Sequence, residues 1–152
     1  MTTSKTSNRA AFGSLLSRAA RQWRRAADLR LQPFELTEAT WLPLVHISRA
    51  PEPPRQKDLA ASMSLDGSSV VRLLDNLEAA GLVQRQEGAH DRRAKIILLT
   101  PRGKAIADQV ETVARRVRSD ALAGLSDKDI ETTVRVLNHV CRALEAQQEV
   151  AV

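Results

Sequence analysis

The chain has 152 residues, 43% hydrophobic and 27% charged, which suits one folded domain, or one domain plus an appended oligomerisation element. Its net charge of +5 favours a polyanionic partner. No apolar run approaches the roughly 20 residues of a membrane-spanning helix, and the polar start "MTTSKTSNRA" lacks a signal-peptide core, so neither membrane insertion nor export is expected.

In chain order, residues 1–8 read as a disordered tail. From Phe12, apolar residues recur at helical spacing through Leu15, Leu16, Ala19, Trp23, Ala26 and Ala27, until Pro33 ends the pattern. Leu36 and Thr37 offer a staple and an N-cap for a second helix holding Trp41, Leu44, Val45 and Ile47. The segment "RAPEPPR" breaks it, because proline lacks a donor and disfavours helix at the residue before it. A short helix follows over Gln56–Met63 and a longer one over Gly67–Ala80, with Gly81 at a left-handed cap position. "LVQRQ" and "KIILLT" read as strands of a hairpin with a polar loop of about eight residues. Thr100 and Pro101 start a long helix through Ile106, Val110, Val113 and Val117 towards Gly124. Ser126 and Asp129 cap the last helix, whose apolar positions are Ile130, Val134, Leu137, Val140, Cys141 and Leu144.

Charge is localised along this order. Arg18, Arg21, Arg24, Arg25 and Arg30 cluster near the start, while Arg85, Arg92, Arg93, Lys95, Arg102 and Lys104 cluster around the hairpin. The outer helices are amphipathic and poor in aromatics, so pairing with a second copy is the economical way to bury their stripes.

Residues 58–77, "DLAASMSLDGSSVVRLLDNL", fit a helix-turn-helix. Ala60 is small where two steeply crossed helices touch, Leu65 plugs the turn, and Val70, Leu73, Leu74 and Leu77 face inward. The opposite face presents Ser68, Ser69, Arg72 and Asn76. Small polar groups there can approach bases and phosphates, and Arg72 can reach guanine bidentately in the major groove. Ser64 stands at a turn position often held by glycine. Two ordinary amphipathic helices would give a similar pattern. The hairpin that follows, with its cationic tip, favours the winged form, whose arginines enter the adjacent minor groove.

"DRRAKIILLTPRGKA" resembles the wing signature of the MarR-family transcriptional regulators. The span from "RQWRRAADLRLQPFELTEATW" to "LTPRGKA" resembles the SlyA-like branch, covering roughly residues 15–105. The resemblance implies a mainly α fold: a winged helix-turn-helix with a two-stranded wing (about 34–100), flanked by dimerisation helices (about 9–32 and 101–147), in a single domain. It implies a homodimer reading a pseudopalindromic site on double-stranded DNA. Ser68, Ser69, Arg72 and Asn76 would then lie on the recognition helix and Arg93 in the minor groove. Asp91 would brace the wing, and Arg85, Arg92 and Lys95 would act as phosphate or support contacts.

Many relatives respond to small aromatic effectors, phenolic or carboxylate, held between the dimer helices and the winged domain. Trp41 coincides with a pocket tryptophan, although it also reads as plain core. Val45 stands where a polar pocket residue is common, and His46 falls one place later, about 100° around the helix and on another expected face. Both substitutions count against a carboxylate effector.

Catalysis is not expected. His46, His90 and His139 are scattered and not at metal-ligand spacing, and no phosphate loop or nucleophile motif appears, so neither metal nor cofactor is implied. The single cysteine, Cys141, excludes an internal disulfide and agrees with a reducing cytoplasm. On an apolar helix face it is expected to be buried and inert, with a redox-responsive regulator as an alternative. An architectural or anti-silencing DNA binder without a ligand is a further alternative.

Overall fold

The computed structural model of the chain describes the backbone of residues 2–88, 90 and 93–150, with side chains from residue 6 onward. The elements run α1 (Thr2–Leu31), a 3₁₀ turn (Gln32–Phe34), α2 (Glu38–Arg49), α3 (Gln56–Ser62), α4 (Gly67–Ala79), β1 (Val83–Glu87), β2 (Lys95–Leu99), α5 (Pro101–Leu122) and α6 (Asp127–Val150). This is the winged helix-turn-helix order expected from the sequence. By its contacts the chain forms two units, residues 1–117 and 118–152.

One expectation fails at the start. α1 begins at Thr2 rather than after residue 8. No proline interrupts that stretch, and Lys5, Arg9, Ala10 and Ala11 are good helix formers, so its polarity specifies exposure and not loss of helix. Every residue from Thr6 to Arg25 is indeed exposed. α6 likewise buries none of its residues within the chain. Cys141 on it is exposed, contrary to the buried thiol expected from its apolar stripe.

Two apolar clusters organise unit 1. One joins Leu44 and Ile47 of α2, Leu59 and Ala60 of α3, Val70, Leu74 and Leu77 of α4, Val83 of β1 and Ile97 of β2. The other joins Ala27 and Leu31 of α1 to Trp41 and Val45 of α2 and to Val110, Val113 and Val117 of α5. α2 therefore contributes to both.

The wing is an antiparallel pair in which Val83 faces Leu99 and Arg85 faces Ile97. Its outer edge is not left open. The Ile97 N–H donates to the Pro54 carbonyl (2.9 Å), and Arg55 forms an isolated bridge with Ile96, so the proline-rich connection serves as a third edge. Thr100 ties the wing's exit to the end of α4. Its hydroxyl donates to the Gly81 carbonyl (2.6 Å) and accepts from the Gly103 N–H (3.0 Å), which makes it the N-cap expected for α5. The Ser126 hydroxyl accepts from the Asp129 N–H (3.1 Å), so that predicted cap also forms. Ser64 adopts φ 54°, which explains why glycine suits the turn of this motif.

Gly103 is required for a different reason. A Cβ there would lie 2.0 Å from the Leu82 carbonyl oxygen, because the first turn of α5 packs directly on the backbone leading into β1. Gly103→Ala is expected to destabilise the fold by about 1–3 kcal/mol through overpacking. Gly67→Ala, whose Cβ meets nothing within 4 Å, should stay within about 0.5 kcal/mol of wild type. Urea midpoints of the two variants check this, and equal midpoints would contradict it.

Candidate nucleic-acid interface and cavity

α4 is two-faced. Val70, Leu74 and Leu77 are buried, and Ser68, Ser69, Arg72 and Asn76 are exposed. At about 100° per residue, Ser68, Arg72 and Asn76 fall within one narrow strip opposite the buried side. The N-terminus of the helix is closed by Asp66, a cap that sequence inspection missed. Its Oδ1 accepts from the Ser69 N–H (2.7 Å) and the Ser68 hydroxyl (2.8 Å). The Asp–x–Ser–Ser spacing was the available signal. These hydrogen bonds, the Ser69 backbone N–H first, hold the Asp66 carboxyl below its ordinary value of 3.8.

In the wing, Arg93 and Lys95 are exposed. They share a shallow groove of about 360 Å³ with Arg55 and Lys57 of the α3 start. Those two cations had no motif to mark them and become legible only when β2 is laid beside the α2–α3 connection. Asp91 and Arg92, expected as wing brace and backbone contact, lie outside the described residues. Arg85 does not share the exposure of these cations. Its side chain is 15% exposed and ion-paired with Asp75 and Glu78 of α4.

On the other side of α2 lies a cavity of about 520 Å³, lined by Trp23, Arg24, Trp41, Val45, His46 and Arg49 among others. That volume is ordinary for a small-molecule site, for which about 300–1,000 Å³ is typical. His46 joins Trp41 and Val45 there, correcting the expectation that it faces elsewhere. The lining strip of α2 includes residues 41, 42, 45, 46 and 49, which together span about 140°, so a rotation of about 100° does not leave it. Trp41 is both core and wall: it is buried, and its Nε1–H donates to Asp28 of α1 (3.4 Å). The sequence marks Arg24 only as one of the clustered cations near the start and does not single out Arg49, although the four-residue spacing of Trp41, Val45 and Arg49 signals a shared face. Arg49 also donates to Glu111 of α5 (2.9 Å). Burial, and then the positive charges of Arg49 and Arg24, hold His46 below its ordinary value of 6.5, so it is neutral at pH 7.

The family model for the MarR family matches residues 34–94. The transcriptional regulator PA3341 is 40% identical with a TM-score of 0.84, and the match covers 89% of this chain and 98% of that one. The chain belongs to the MarR family of transcriptional regulators. CouR from Rhodococcus jostii RHA1, whose crystal structure holds p-coumaroyl-CoA, is 30% identical with a TM-score of 0.76, covering 85% of this chain and 90% of that one. The transcriptional regulator SlyA, at 22% identity and a TM-score of 0.79 over 93% of this chain and 99% of that one, shares the fold. Within the MarR frame, α3 and α4 form the helix-turn-helix and β1–β2 the wing.

The Asp66 cap gives this MarR-family chain a pH signature. Its carboxyl is depressed in the folded state, so its stabilisation is complete above the unfolded value near 3.8 and disappears as pH falls through the lower folded value. Asp66→Ala should therefore lower the urea midpoint at neutral pH, and the gap from wild type should close in acid below that window. A gap that persists unchanged at the acid end would contradict a role for the ionised cap.

Proposed function

We propose that the protein is a homodimeric, sequence-specific DNA-binding regulator, working in the cytoplasm on a pseudopalindromic site. α4 enters the major groove and the wing the flanking minor groove. The observation that carries this reading is the exposed Ser68–Arg72–Asn76 strip on a helix whose opposite face is locked in the core, beside a cationic wing. Arg72 discriminates bases, Asn76 and the serines contact base edges or phosphates, and Arg93 and Lys95 add groove and backbone contacts. Dimerisation is supported by the apolar residues that α1 exposes, Phe12, Leu15, Leu16 and Trp23, and by Val134 and Leu144 exposed on α6.

Fluorescence anisotropy on fragments selected from the source genome tests the DNA assignment. Arg72→Ala is expected to weaken specific binding by about 1–3 kcal/mol and relax sequence preference. Arg93→Ala should reduce the salt slope by about 1. Wild-type behaviour in both variants would sink the assignment.

We infer also that the cavity bounded by α1, α2, α3 and α5 takes a small aromatic carboxylate whose binding releases DNA. Two tryptophans supply apolar walls, Arg24 and Arg49 supply positive charge, and a 30%-identical relative holds an aromatic thioester conjugate. This cavity favours a ligand-responsive regulator over a purely architectural DNA binder. A bound carboxylate beside neutral His46 raises that group's pKa, so binding takes up a proton. Affinity for p-coumarate should rise as pH falls from neutrality through 6.5 and below, with proton uptake visible by calorimetry in buffers of different ionisation enthalpy. Binding without proton uptake would rule out contact near His46, and no binding at millimolar p-coumarate would count against the effector class.

A further inference from the structure

Arg85 raises a question that its charge alone does not answer. It sits on β1 among cations suited to DNA, yet its guanidinium turns away from solvent. Nη2 pairs with Asp75 Oδ1, and Nε lies 3.7 Å from Glu78 Oε2 without a hydrogen-bond partner among the described residues. The Arg85 backbone N–H also donates to Glu78 Oε2 (3.1 Å), so both the strand and its side chain are fastened to α4. Opposite it across the hairpin is Ile97, which is fully buried.

Asp75 and Glu78 are the second half of the puzzle. They flank the exposed strip of α4, where two carboxylates beside DNA phosphates would oppose binding. Their position makes sense if they serve Arg85. We propose that Arg85, Asp75 and Glu78 form a brace that fixes the angle between wing and recognition helix, with Arg85 acting as a positioning residue and not as a phosphate contact. For Arg85 to reach phosphate it would have to leave two carboxylates and a largely desolvated site. The brace rests on the DNA-binding reading above. It adds that the two reading elements are set relative to one another by a named ion-pair triad, so that Arg72 and Arg93 engage their grooves together.

The inference has an unusual sign. Changing Asp75→Asn and Glu78→Gln together makes the protein more positive, and electrostatics alone predicts tighter binding to DNA. Loss of the brace predicts weaker binding, on the order of tenfold, as expected for coupled contacts.

The test uses the full-length protein and a selected operator fragment, with wild-type binding measured first. If wild type shows no specific complex, the DNA-binding reading fails, and the brace with it. Given a wild-type complex, the brace predicts three results. Asp75→Asn/Glu78→Gln binds more weakly than wild type. Arg85→Gln, shown by circular dichroism to be folded, loses affinity. Finally, Arg93→Ala costs less in the Arg85→Gln background than in wild type, because a loosened wing no longer presents Arg93. Should Arg85→Gln fail to fold, the carboxylate pair carries the same cycle with Arg93→Ala. Tighter binding by the carboxylate variant, or additive losses with Arg93→Ala, would overturn the brace while leaving DNA binding intact.

Discussion

α4 can present a reading face only because its other face has nowhere to turn. Val70, Leu74 and Leu77 are held in a cluster with Leu44, Leu59 and Ile97, and these side chains are almost wholly excluded from water. Each contributes about 1.5–3 kcal/mol of burial, against about 0–1 kcal/mol for an exposed ion pair. The core therefore decides the rotation of α4, and polar contacts only refine it. Because Val83 and Ile97 of the wing belong to the same cluster, α4 and the wing share one packed unit, and under the proposed brace Arg85 then trims the angle between them. Gly103 and Thr100 keep that unit closed where the chain leaves the wing and enters α5.

α2 links this unit to the cavity. Leu44 and Ile47 point into the reading core, while Trp41, Val45, His46 and Arg49 line the opposite wall. Its cavity side is tied to α1 through Trp41 and Asp28 and to α5 through Arg49 and Glu111. Under the proposed function, a ligand that shifts α2 against α1 or α5 shifts the packing beneath α4 as well. The coupling element is then a single helix shared by two clusters, which is a physical route and not a statement of distance.

Much of this was legible in the sequence. The order of elements follows from helical and alternating apolar periods, and Thr100 and Ser126 mark helix starts because their side-chain oxygens satisfy otherwise unpaired N–H groups. The inner and outer faces of α4 follow from the spacing of Val70, Leu73, Leu74 and Leu77 alone. What periodicity does not supply is the neighbour opposite each face. His46 reads as facing elsewhere because it lies about 100° around the helix from Val45, whereas the cavity is wide enough to take a broad strip of α2. The apolar stripe of α6 suggests a buried Cys141, but Ile130, Leu137 and Val140 on that stripe are only half-buried and Cys141 itself is exposed. Arg85 is the instructive case. Strand alternation puts it on the side of buried Val83, with Gln84 outward, so the inward direction was readable before any partner was known. Its charge, grouped with the wing's other cations, suggested DNA instead.

Footprinting of the wild-type protein on a selected genomic fragment tests the central claim most directly. The account predicts two symmetric protected half-sites, spaced centre to centre by about one helical turn of DNA or a multiple of it, each flanked by minor-groove protection from a wing. A single unsymmetrical footprint, or uniform protection independent of sequence, would contradict a homodimer reading DNA through α4 and its wing.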